Sequence, residues 1–109
     1  MRRLRMGTVL IAAVSTVCAL WAADTQAGKA VFEKSCRTCH GADGQGNPAI
    51  AKAMNVTIKP LNSGEVQGKS DREISKTVLE GNGKMKPVKI TEAQAADVTA
   101  YLRTLPKAK

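Results

Sequence analysis

Residues 28–109 contain only two aromatic side chains, Phe32 and Tyr101, and a segment so short with so few large apolar residues builds only a thin core. Domains of this size are usually held by a disulfide, a metal or a cofactor. The sequence therefore predicts that something other than side chains fills the centre. The first 27 residues are set apart because they read as a leader. Met1-Arg2-Arg3-Leu4-Arg5 is cationic, an uncharged and mostly apolar run follows from Met6 to Ala23, and small residues mark the exit. These are the three parts of a secretory signal peptide. The run is at the short limit for a membrane span, which needs roughly 20 apolar residues, so an uncleaved anchor is the alternative. Thr25 and Ala27 approximate the small-x-small rule and place the cut after Ala27. Ala22 or Ala23 could also be the last leader residue, but Leu20 or Trp21 would then fill the upstream position that calls for a small residue. Cys18 has no small residue just before it and does not read as a lipidation site. The expected organisation is a signal peptide at 1–27 and one domain at 28–109, periplasmic or otherwise exported.

That domain holds 14 Lys plus Arg against 8 Asp plus Glu, a net of +6, with two cysteines and one histidine. It shows no internal repeat. Four helix-like segments are joined by Gly-, Pro- and Lys-rich loops. The first spans about 29–37, with Val31, Phe32, Ser35 and Cys36 on one side. The second starts at Asn47, with Pro48 suited to its first position and Ile50 and Met54 four apart on one face. A third opens on Ser70-Asp71-Arg72-Glu73, a capping-box pattern, carries Ile74, Val78 and Leu79, and stops at Gly81. The fourth opens on Thr91 with Gln94 completing a second box, then places Val98, Tyr101, Leu102 and Leu105 at helical spacing before Pro106. Val56-Thr57-Ile58 suits a short extended stretch, but no segment sustains a period of two. The predicted class is all-α.

Cys36-Arg37-Thr38-Cys39-His40 is the motif that carries chemistry. Cys-x-x-Cys-His is the attachment signature of c-type haem. Two thiols three residues apart at a helix end each add to one vinyl group, and the adjacent histidine is held beneath the iron. The competing readings are poorer. A structural zinc site normally needs four protein ligands, and no further Cys or His is available in this segment. A thioredoxin-like pair would sit beside a βαβ pattern, which is missing. A plain disulfide would leave His40 unexplained.

With His40 the only histidine, the second axial ligand must be of another type. Met54 shares a face with Ile50 and reads as core packing. Met85 lies in Gly81-Asn82-Gly83-Lys84-Met85-Lys86-Pro87, where burial gives no reason for a methionine and ligation from the face opposite His40 does. Lys84 or Lys86 would ligate only after losing a proton. Met85 is the expected ligand.

With these elements in this order the chain resembles the small monohaem class I cytochromes c of bacteria. The resemblance rests on Gly28-Lys29-Ala30-Val31-Phe32 leading into the motif, on the loop from Glu80 to Pro87, and on the closing Ala100-Tyr101-Leu102. It implies the cytochrome c fold, about four short helices around one covalent haem c and its iron, with first and last helices crossing and Gly28 and Phe32 near Tyr101. It also implies that the Pro48 carbonyl accepts the Nδ1 proton of His40. In many members Pro directly follows the ligand Met, where Lys86 stands here, and many use a Trp near a haem propionate that residues 28–109 lack.

An iron closed by His40 and Met85 passes electrons but cannot bind a substrate, so the expected function is outer-sphere one-electron transfer and not enzymatic catalysis. A gas sensor, or the haem subunit of a redox enzyme with a displaceable Met85, is the alternative. Lys84 and Lys86 flank the ligand loop and are expected to draw redox partners with acidic docking surfaces, while Lys107 and Lys109 serve solubility. A monomer is expected, with no nucleic-acid partner. Membrane contact is expected only through a membrane-bound redox partner or an uncleaved leader.

Overall fold

The computed structural model describes residues 7, 9–12 and 23–107, so most of the expected leader lies outside the described residues. The described residues are all-α. Among them six helices follow in order: α1 Thr25–Ser35, α2 Arg37–His40, α3 Pro48–Met54, α4 Gly64–Gln67, α5 Asp71–Glu80 and α6 Glu92–Leu102. Among the described residues the only β-type pairing is a single bridge between Asn82 and Met85. No helix among them is long and apolar enough to cross a membrane.

Local chemistry explains most boundaries. Asn47 caps α3 by accepting from the N–H groups of Ala49 and Ile50, and Pro48 occupies the first turn. Thr91 and Gln94 form the full reciprocal box at α6. At α5 only half of the expected box forms, Ser70 accepting from the Glu73 N–H. Gly81 ends α5 with a φ of 79°, a region costly for any residue with a Cβ. The first helix differs from expectation at both ends. It starts at Thr25, capped by Asp24, and breaks at Cys36, where a short second helix takes over. Helix α4, capped by Ser63, was not foreseen; four residues carry no readable period.

Helix α6 packs on α1 and α5. The core is small: Phe32, Ile74, Val78, Ala95, Val98 and Leu102, with Val31, Leu61, Val88, Ile90, Tyr101 and Leu105 against it. Leu79, expected in the stripe, is only half-buried. Phe32 and Tyr101 stack tilted, with centroids 5.5 Å apart. The crossing of α1 and α6 depends on Gly28. A Cβ placed there would sit 2.0 Å from the Asp97 carbonyl oxygen, inside any tolerable contact. Gly28→Ala should therefore force the helices apart at a cost of about 3 kcal/mol or more. In thermal melts of the haem-bearing protein that is a fall of roughly 12–24 °C, and an unchanged midpoint would contradict the packing.

Arg103 locks the end of α6 to the turn before α5. Its guanidinium donates to Asp71 and to the backbone carbonyls of Gln67 and Lys69, while the Gln67 side chain donates to the carbonyls of Leu61 and Leu102. These are hydrogen bonds to backbone acceptors, more consequential than the exposed ion pair to Asp71 alone.

Candidate functional site

The motif straddles the α1–α2 break. Cys36 is the hinge residue, and Cys39 and His40 close the single turn of α2, ending at Gly41 with a φ of 79°. The following loop folds back over this turn. Gly46 N–H donates to the His40 carbonyl at 2.7 Å, Asn47 N–H to that of Cys39 at 2.9 Å, and the Asn47 side chain to that of Thr38 at 3.0 Å. The carbonyls left over at the end of α2 thereby gain partners, and α3 is set beside the motif.

Met85 stands on a tight turn. Met85 N–H donates to the Asn82 carbonyl and Asn82 N–H to that of Met85, both at 2.9 Å. Gly83 takes a φ of 57° within this turn. Gly81 leaves no room behind it: a Cβ there would lie 2.5 Å from the Met85 carbonyl oxygen and 2.9 Å from the Pro87 ring. The glycines and Pro87 thus fix the backbone that presents the thioether. Lys84 reaches across from this turn to donate to the Met54 carbonyl at the end of α3.

Between the two walls runs a cavity of about 850 Å³. Cys36, Cys39, His40 and Met85 all line it, with Phe32, Ile74 and Val98 contributing apolar wall. Met54 lines it as well, which corrects its reading as core packing: its helix face looks onto the cavity and it is absent from the buried cluster. Four lysines, Lys59, Lys69, Lys84 and Lys86, stand around it with one acidic residue, Glu65. Lys59 pairs with Glu65 and holds its carboxyl below the usual range.

The electrostatics of the motif favour a ligand over a redox pair. Both thiols are free. Burial, reinforced by Cys39, pushes the Cys36 thiol up to about 11, the reverse of the lowered value that reactive disulfide motifs need. Burial lowers the His40 value, favouring the neutral imidazole that has a lone pair to donate. His40 Nδ1 is buried and has no hydrogen-bond partner, so the expected bond to the Pro48 carbonyl is not formed. Pro48 sits at the first turn of α3, where a carbonyl serves the helix's own ladder, and it lines a separate cavity of about 370 Å³ with Gln45 and Ile58. Among the described residues no cluster of three or more His, Cys, Asp or Glu side chains converges as a metal cage, as zinc would require. Two thiols, an imidazole kept neutral by burial, a thioether and apolar walls around one cavity fit an apolar, metal-bearing group.

The family model of Cytochrome c matches residues 25–106. The chain belongs to the cytochrome c family. Its cofactor is haem c with its iron, covalently held, and its chemistry is haem-based electron transfer. Among solved structures this cytochrome is similar to the KustC0563 c-type cytochrome, with a TM-score of 0.63 and 25% sequence identity over 73% of this chain and 98% of that one. Among curated proteins no match was found.

Of the residues the sequence singled out, Cys36, Cys39, His40 and Met85 all line one cavity, and Pro48 does not. Sequence reasoning missed Lys59 and Lys69 at the cavity and the tether from Lys84, whose partners lie far away in sequence.

Proposed function

We propose that this cytochrome is an exported one-electron carrier whose single haem is held axially by His40 and Met85. The observation that carries this reading is that His40 and Met85 line the same cavity from two elements, with Met85 fixed on a turn closed by two backbone hydrogen bonds. The bound group supplies a one-electron couple. The protein supplies the rest: Cys36 and Cys39 tether it, neutral His40 donates from one face, Met85 closes the other, and Phe32 and Val98 keep water from the interior side. With both faces occupied by protein no site is left for a substrate, which is why transfer without bond chemistry is favoured over catalysis. The test is carbon monoxide on the reduced protein. Little or no binding is expected, and rapid binding would favour the sensor or enzyme-subunit alternative.

The partner is proposed to be an acidic redox protein. Residues 28–109 carry +6, or about +4 once two ionised propionates are counted. Lys69 and Lys86 stand exposed beside the cavity. Lys84 flanks Met85 too, but its ammonium is committed to the Met54 carbonyl, so a change there would disturb the loop as well as the charge. The docking test therefore belongs at Lys69 and Lys86. Replacing both with Gln should slow transfer to an acidic partner and flatten its salt dependence, because exposed charges are screened beyond roughly 8 Å at physiological ionic strength. Lys107→Gln should change little. A rate with the natural partner that is flat or rises with salt would contradict a cationic docking face.

A further inference from the structure

We infer that the leader is cut on the N-terminal side of Asp24, after Ala22 or Ala23, so that Asp24–Ala27 stay with the domain; this rests on the leader reading. The small-x-small pattern favours the bond after Ala27, but the fold uses the four residues before that bond. Asp24 is the N-cap of α1, its carboxylate accepting from the N–H of Gln26 at 2.9 Å and of Ala27 at 3.2 Å. Its own N–H donates to the Asp97 carboxylate of α6 at 2.8 Å, and its carbonyl accepts from Gly28 N–H at 2.9 Å, the first rung of the helix. The family match likewise begins at residue 25, upstream of Gly28.

A cut after Ala27 would do three things at once. It would remove the cap and the first turn, leave the Asp97 carboxylate without this partner, and place a new α-ammonium on Gly28. Gly28 is buried in the helix crossing, where a charge is costly. Ala22 and Ala23 each supply a small residue at the cut.

The test is the N-terminus of the haem-bearing protein exported from the full chain, read by intact mass and N-terminal sequencing. A start at Ala23 or Asp24 is expected. A start at Gly28 would overturn the boundary and leave the leader reading standing, and a product that keeps Met1 would overturn both. Asp24→Ala supplies a second readout. The exported product should change mass by the Asp-to-Ala difference and melt about 4–8 °C lower through loss of the cap. If its mass and midpoint equal those of the unsubstituted protein, Asp24 is removed on export and the inference fails.

Discussion

Replacing Cys36 and Cys39 with alanine should yield a chain that keeps no haem through acid-acetone extraction and shows no cooperative thermal transition. The first half follows from the chemistry of attachment, since both thioether bonds are lost. The second follows from packing. Among the described residues only six apolar side chains are buried, and the motif and the Met85 loop line a cavity of about 850 Å³. Without the haem the apolar walls of that cleft face water, and a domain's whole stability is only about 5–15 kcal/mol. The helix caps at Asp24, Asn47, Ser70 and Thr91 each contribute about 1 kcal/mol and cannot make up the difference. Circular dichroism of the apoprotein on heating checks this, and a sharp two-state melt would mean the protein core suffices by itself.

The second large effect belongs to Met85. Met85→Ala should abolish the weak sulfur-to-iron charge-transfer band of the oxidised protein, lower the reduction potential and admit carbon monoxide. Met54→Ala should keep the band. Met54 is half-buried at the cavity, so its loss should cost about 1–2 kcal/mol, below the range for a fully buried methionine. The loop geometry separates the two roles. Met85 stands on a turn fixed by Asn82, Gly81 and Pro87, whereas Met54 ends a regular helix. Potentiometry and carbon monoxide titration of both variants would show whether ligand and wall residue have been exchanged.

How much of this could be read from sequence follows the range of each interaction. The Asn47–Pro48 start, the Thr91–Gln94 box and the stop at Gly81 are written within four residues of themselves, and each formed. The haem motif is equally local. The start of α1 was misplaced because Ala23–Ala27 satisfies two patterns at once, leader exit and helix N-terminus; the cap at Asp24 and its contact with Asp97, 73 positions away, favour the second. Arg103 and Gln67 carry no period and no motif, since their partners lie up to 36 positions off. Met54 failed for a different reason. A helix face turned toward a prosthetic group is apolar for the same cause as one turned toward the core, so spacing from Ile50 cannot tell them apart. The Pro48 contact came from likeness to other cytochromes, and here His40 Nδ1 has no partner.

The central claim is that His40 and Met85 together close the iron of a carrier, and the absorption spectrum of the exported protein tests it most directly. Oxidised and reduced spectra should show a six-coordinate low-spin c-type haem, with the weak sulfur-to-iron band present only in the oxidised form. A high-spin oxidised spectrum without that band would contradict the account, because it would mean that one face of the iron is open.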